Sequence, residues 1–287
     1  QYRTNELVRW RMHFLSDAIA EIEGLLEVNR DFCKKQVAEK ASPALPTNCA
    51  VVPLMLQRVS HDVNVEMVFK RGKLVYDGHE VEIAAPDIDP DILAGVLDTF
   101  HLPDVTPEQL RIGVAPLIGL IDGQIVTEDL GHAEGIDDGI CQMTVCERHH
   151  DTGHVASCYV RGYGIQRGAV ATSIAHDSHN IIACGVSPED IAFAVNELKK
   201  MHGGIIVVEN GQIQARLPLE VAGLFTDRPL PEVNEKLEHC KAAAWAQGVN
   251  RGIDPFMTLS FASLPVIPAL RLTTKGVFNV NTLTFVE

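Results

Sequence analysis

Histidine titrates nearest neutrality of all side chains and is the commonest nitrogen ligand of metals. Seven of the twelve histidines in this 287-residue chain fall between positions 132 and 202: His132, His149, His150, His154, His176, His179 and His202. The densest arrangement is His176-Asp177-Ser178-His179-Asn180, set between the apolar runs ATSIA and IIACG. Two imidazoles, a carboxylate, a hydroxyl and an amide at the mouth of a sheet could ligate a divalent metal through His176 and His179, relay a proton or grip a polar substrate. The same residue types also build a turn in which Asp and Asn side chains bond their own backbone. Nothing like a nucleophile elbow surrounds Ser178, so a hydrolase serine is not expected there.

A second cluster is Cys146-Glu147-Arg148-His149-His150-Asp151-Thr152-Gly153-His154. With Cys141 it offers C-x4-C and H-x3-H, but a structural zinc finger separates such pairs by about twelve residues. Here the pairs adjoin, so no finger is expected. Glu147 and His149 are two positions apart, and on a strand both would point to one face and could share a polar site with the first cluster. The alternative is a strand edge running into a solvated turn at residues 151–153. Gly162-Tyr163-Gly164-Ile165-Gln166-Arg167-Gly168 is one residue off the dinucleotide fingerprint and no helical pattern follows it, which predicts a tight turn or close backbone approach. The chain has no Walker A motif, no HExxH and no H-x-H pair.

The elements that must carry these clusters are legible in part. Strand patterns cover 142–147, 157–162 and 169–175, and a hairpin is expected over 118–127 around Asp122-Gly123. The clearest hairpin joins 205–209 to 212–217 through Asn210-Gly211, because a type I′ turn needs positive φ at both central residues. Ser187, Pro188 and Asp190 mark a helix start in which the Asp190 carboxylate could return to the cap amide. Ile191, Ala194, Val195 and Leu198 form its apolar face, and Gly203-Gly204 predicts a left-handed end. A second helix is expected over 231–247, with apolar segments at 256–264 and 279–285.

Upstream, Leu7, Trp10, Phe14, Ala18, Ile22 and Leu25 predict an amphipathic helix over 5–28, with a linker at 34–48. Strands are expected at 49–56, 63–69, 73–76 and 79–83. Four prolines then interrupt the chain, leaving a short helix near 92–97. The expected divisions are an N-terminal helix and linker (1–48), a small β segment (49–85), a proline-rich connection (86–109) and a main domain (110–287). Clustered strands with a few packing helices favour an α+β fold of mixed sheets and hairpins over a doubly wound parallel sheet.

Composition excludes several classes. With 24 Lys+Arg against 38 Asp+Glu, the formal charge of −14 repels phosphate backbones and anionic lipid surfaces, so neither nucleic acid nor membrane is an expected partner. No apolar run approaches the ~20 residues that span a bilayer. The start, QYRTNELVRW, lacks the basic-then-apolar pattern of a signal peptide, and a cytoplasmic protein is expected. The chain begins at Gln1, which suggests that upstream residues were removed or never included. Its seven thinly spread cysteines are expected to be buried free thiols.

The stretch GAVATSIAHDSHNIIACG, with the following SPEDIAFAVNELKKMHGGIIVVENGQIQARLPLEVAGLFTD, resembles the C-terminal domain of bacterial adenine deaminases, members of the amidohydrolase superfamily. The similarity extends through IDGQIVTEDL and VCERHHDTG upstream and PFMTLSFASLPVIPALRLTTKGVFNV downstream, spanning about 110–287. A weaker likeness, in CAVVPLMLQRVSHDVNVEMVFKRGKLV, covers about 48–75.

The resemblance implies hydrolysis of adenine to hypoxanthine and ammonia. In that superfamily divalent metals held in a (β/α)8 barrel activate the attacking water, and a carboxylate moves a proton towards the leaving amine. It further implies manganese or iron ahead of zinc, adenine as ligand, the barrel portion of the same enzyme as partner, and a homo-oligomer. The barrel's metal site opens with H-x-H, which this chain lacks, and a barrel takes ~250 residues by itself. The superfamily's main catalytic residues therefore map to no position here.

What carries over is His176, Asp177, Ser178, His179 and Asn180, with Glu147 and His149 nearby, completing or covering an active site supplied mainly elsewhere. His176 and His179 are the candidate metal ligands. Three functions stay open: part of an adenine deaminase, whether a portion of a longer polypeptide or a subunit of a split enzyme; a non-catalytic purine-binding or regulatory module; and a small metallohydrolase using His176, His179 and Glu147.

Overall fold

The computed structural model describes residues 89–286 and four short strands before them. The helix expected over 5–28, the linker at 34–48, the strand at 79–83 and most of that at 49–56 lie outside the described residues. Strand β1 (Leu56–Val59) pairs antiparallel with β2 (Asp62–Val65), and β3 (Val68–Lys70) with β4 (Lys73–Tyr76). The single strand expected over 63–69 is thus divided, because its halves bond to different partners: β2 back to β1, β3 forward to β4. These strands belong to one unit, and the residues from 89 onward to another.

The second unit is built on an eight-stranded sheet of β5 (Ala115–Leu120), β6 (Thr127–Ala133), β7 (Ile140–Cys146), β8 (Val155–Arg161), β9 (Ala169–Thr172), β10 (Ile181–Gly185), β11 (Gly204–Glu209) and β12 (Gln212–Pro218). The spatial order is β12-β11-β9-β10-β7-β8-β5-β6. Every neighbouring pair is antiparallel except β5 with β8, so the sheet is mixed and the class is α+β. Five helices are described: α1 (Pro90–Leu97), α2 (Pro107–Leu110), α3 (Pro188–Lys200), α4 (Leu230–Ala246) and α5 (Met257–Ala262). None of the described helices is long and apolar enough to cross a membrane.

Central strands covered on both faces must carry apolar residues continuously rather than in alternation. Strands β7, β9 and β10 are buried at every position. On one face Ala169, Ala171, Ile181, Ala183 and Ile206 pack against Ile191, Val195 and Leu198 of α3. On the other, Met143, Val170, Ile182 and Val207 meet Cys240 and Ala244 of α4, Leu259 of α5, and Leu270 and Leu272 of strand β13 (Leu270–Thr273). The five described cysteines are all free and buried.

Several expectations shift in detail. The hairpin expected over 118–127 is β5 and β6, joined through residues 121–126, with Leu120 opposite Thr127. The apolar segment at 256–264 is helical, as α5. The segment at 279–285 contributes to a ribbon in which β13 pairs with β14 (Gly276–Asn279) and β14 with β15 (Thr284–Phe285). Within the proline-rich stretch, Phe100, Leu102 and Val105 are buried in the α3-side core.

Helix α3 starts as its sequence dictates, with the Ser187 hydroxyl accepting from the Asp190 amide at 3.2 Å. The Asp190 carboxylate does not return to the cap. It accepts from the amides of Asn210 (3.1 Å) and Gly211 (2.9 Å), so it clamps the β11–β12 turn. Both turn residues have positive φ, 50° and 68°, as a type I′ turn demands. These amides point out of the strand ladder, and a nearly buried carboxylate satisfies them better than it would a solvent-facing cap. Asp190→Ala is expected to lower stability by about 2 kcal/mol in urea unfolding. A loss below about 0.5 kcal/mol would mean that the turn holds itself.

The helix ends in positive-φ backbone that begins at His202 (φ 56°), one residue before the expected Gly203 (φ 102°) and Gly204 (φ 122°). His202 N donates to Lys199 O and Gly203 N to Leu198 O, each at 3.0 Å, the two bonds of a Schellman end. Glycine is needed at 203 for space as well: a Cβ there would lie 2.5 Å from Gly223 Cα.

Candidate functional site

Strand register brings the two polar clusters together. Ile181, which follows Asn180, pairs with Cys146, which precedes Glu147, in the antiparallel β10–β7 ladder. Both clusters therefore leave the sheet at the same end. The loop from β9 to β10 then folds on itself, with His179 N donating to Ala175 O (2.7 Å) and Ser178 N to His176 O (2.9 Å). Asp177 (φ 62°) and His179 (φ 46°) both occupy the left-handed region. A non-glycine residue there costs about 1 kcal/mol or more and persists only when its surroundings over-determine it.

Arg148 supplies much of that constraint. It is 2% exposed, and its guanidinium donates from Nε to His179 O (2.5 Å), from Nη1 to Thr99 O (2.9 Å) and from Nη2 to Ala222 O (2.9 Å). It also lies over the Phe100 ring, 4.4 Å from the centroid. Burial brings its pKa down to about 10, with the Glu147 charge opposing, so the group remains a cation at neutral pH. Arg148 N donates to Asn180 Oδ1 (3.4 Å). His149 Nε2 donates to Ser178 O (2.8 Å), since a carbonyl oxygen can only accept.

Glu147, expected from sequence to lie near the 176–180 cluster in a shared polar site, bonds the turn that follows it. Its Oε1 accepts from the amides of His149 (2.6 Å) and His150 (3.1 Å), and its Oε2 from the Thr152 hydroxyl (3.0 Å). Burial would raise its pKa, but these bonds outweigh burial and hold the carboxyl below its ordinary value. Both oxygens are thus engaged by its own turn, and Glu147 anchors the 147–154 segment.

The loop histidines are the opposite case. His176 Nε2 and His179 Nδ1 are buried and have no hydrogen-bond partner among the described residues. The His176 ring packs on Phe261 of α5, with centroids 4.1 Å apart, and its amide donates to Ser260 O (3.3 Å). The Ser260 hydroxyl is likewise buried and unpartnered among the described residues. Burial lowers the His179 pKa, helped by the charges of Arg148, His176 and His149 and opposed by Asp177, which favours a neutral ring. A buried polar atom left unpaired costs about 1–3 kcal/mol, which sets these atoms apart from the bonded groups around them.

The sequence-predicted residues do not all converge. His149, Ser178, His179 and Asn180 are joined by hydrogen bonds around Arg148, and His176 is tied to α5. His132 lies on β6 and His202 at the end of α3. Thr99, Phe100, Ala222, Ser260 and Phe261 were not foreseen, and no local pattern distinguishes them. In the glycine cluster, Gly168 (φ 71°) permits close approach, since a Cβ there would fall 2.1 Å from Val208 O.

A divalent metal fits these residues poorly. No group of three or more His, Cys, Asp or Glu side chains positioned to hold a metal occurs among the described residues. The loop offers His176 and His179, where a catalytic zinc usually takes three protein ligands.

Comparison with known proteins adds a family. The family model described as "Adenine deaminase C-terminal domain" matches residues 122–284. "Adenine deaminase 2" of Carboxydothermus hydrogenoformans is 42% identical over 232 residues, which is 76% of this chain and 40% of that protein. "Adenine deaminase" of Nitratidesulfovibrio vulgaris strain DP4 is 40% identical over 77% of this chain and 40% of its own length. "Adenine deaminase" of Geobacillus kaustophilus is 35% identical over 84% of this chain and 45% of its own length. The matched region spans less than half of each of these relatives.

Proposed function

The chain belongs to the adenine deaminase family through its C-terminal domain, and from that premise we propose that it is the part of an adenine deaminase whose 173–180 loop completes or covers the active site. The whole enzyme would hydrolyse adenine to hypoxanthine and ammonia. The observation that supports this reading is the pair of buried, unpartnered imidazole nitrogens, His176 Nε2 and His179 Nδ1, on a strained loop. Adenine presents ring nitrogens that accept and an amino group that donates, and a neutral imidazole can meet either. Asp177, Ser178 and Asn180 would line the same rim, with His149 fixing the Ser178 carbonyl. The divalent metal, manganese or iron ahead of zinc, and the barrel that holds it would be supplied outside the described residues.

The test compares two proteins. Residues 1–287 alone, supplied with manganese, iron or zinc, are expected to release ammonia from adenine no faster than a heat-treated control. The same residues joined to the barrel portion of a relative are expected to be active. In the joined protein, His176→Ala and His179→Ala should each lower kcat/KM by about tenfold without unfolding it. Metal-dependent turnover by the chain alone would favour the free-standing metallohydrolase, and an inactive joined protein would favour a binding module.

A further inference from the structure

Phe261, on which His176 packs, also lines a cavity of about 170 Å³ whose wall includes Leu120, Ile125, Val126, Met257 and Arg271. Arg271 is 1% exposed. Its Nε donates to Ile267 O (2.6 Å), and its Nη2 to Ile125 O (2.7 Å) and Pro268 O (2.9 Å). Nη1 has no hydrogen-bond partner among the described residues, and no described carboxylate forms an ion pair with this guanidinium. Asp254 lines the same cavity but is engaged elsewhere. Its Oδ1 accepts from the amides of Phe256 (3.0 Å) and Met257 (2.9 Å), and its Oδ2 lies 3.6 Å from Lys241 Nζ. The cavity therefore has a cationic wall with a donor to spare, and a mouth where Ile125, Val126 and Met257 are all exposed.

A buried guanidinium without a counter-charge binds a carboxylate strongly, and exposed apolar residues around it exclude water from that contact. More than half of each relative named above lies outside the matched region. In a single folded enzyme that remainder must seat against this domain, and close enough to reach the 173–180 loop. Met257 at the cavity mouth and Phe261 beneath His176 are about 6 Å apart along α5, so a segment seated here would adjoin the loop.

Resting on the reading above that a barrel portion is the partner, we propose that this cavity is an anchor pocket for an Asp or Glu side chain on an apolar segment of that portion. The carboxylate would bond Arg271 Nη1, and the flanking residues would cover Ile125, Val126 and Met257.

The test mixes the full 287-residue chain with the unmatched portion of the Carboxydothermus relative, produced separately, and reads binding by calorimetry. The wild-type chain is expected to bind. Val126→Asp, which sets a negative charge at the exposed mouth, should weaken binding by about tenfold, while Val126→Lys should leave it within about twofold. Arg271→Met should weaken it as Val126→Asp does, and Arg271→Lys less. Arg271 also holds three carbonyls, so if its variants fail to fold, the Val126 pair decides the question alone.

No wild-type binding would overturn the proposal, as would equal weakening by Asp and Lys at 126, or no weakening by Asp. Adenine hydrolysis measured in the same mixtures reads the functional proposal separately. A charge-sensitive but inactive complex keeps the anchor pocket and sinks the deaminase reading. An active complex indifferent to the charge at 126 does the reverse.

Discussion

Replacing Arg148 with methionine is expected to lower the stability of the unit from residue 89 onward by about 4 kcal/mol, with the 173–180 loop losing its order first. Methionine approximates the volume of the arginine stem, so packing alone would make the change mild. The cost comes from three carbonyls, those of His179, Thr99 and Ala222, which lose their donor while remaining enclosed. His179 and Ala222 both hold left-handed backbone, at φ 46° and 57°, and without the guanidinium that strain has less to oppose it. Urea unfolding gives the size of the loss, and hydrogen exchange at residues 176–180 locates it. A loss under about 1 kcal/mol, with exchange unchanged, would show that the loop is shaped by its own sequence. Arg148→Lys is expected to fall near methionine, because one ammonium cannot reach carbonyls from three chain segments in the fork geometry that the guanidinium uses.

Glu147→Gln is expected to cost about 2 kcal/mol at pH 7, and the cost should be pH-dependent. The amide nitrogen would face backbone N–H groups that now meet carboxylate oxygen, leaving some of the His149, His150 and Thr152 donors unpaired. The folded carboxyl titrates below its ordinary value, which sets the sign. Stabilisation by the ionised form is fully present above the unfolded value of about 4.3 and is lost as pH falls through the lower folded value. Wild type and variant should therefore converge in acid, with the gap opening as pH rises to about 4.3 and staying constant above about pH 5. A difference that is constant from pH 3 to pH 7 would mean that packing, not the ionised carboxylate, holds the turn.

The polar clusters were legible in the sequence because their residue types are chemically conspicuous, but the roles inside them were not. Glu147 and His149 occupy alternate positions, and strand alternation would place both on one face. Instead β7 ends at Cys146, and Glu147 folds back on the amides of its own turn. Asp190 illustrates the same limit. Its position three residues after Ser187 satisfies the capping pattern, yet the Asn210-Gly211 turn, brought near by the α3–β11 packing, takes the carboxylate. His202 stands in the left-handed site that a local rule assigns to glycine, while Gly203 is held by the approach of Gly223 from another segment.

By itself the sequence determined what depends on neighbours in the chain: the span and cap of α3, the type I′ turn at Asn210-Gly211, the α+β class, and the family, through long ordered motifs from about residue 110 onward. Period, cap and turn signals act within a few residues, so they can be read without knowing the fold. Only the tertiary structure decided that Ile181 pairs with Cys146, and so that the two histidine-bearing segments leave the sheet together. It also decided that Arg148 gathers carbonyls from positions 99, 179 and 222, and that His176 rests on Phe261. Those contacts join residues far apart in the chain through strand register and side-chain reach, and no local pattern encodes either.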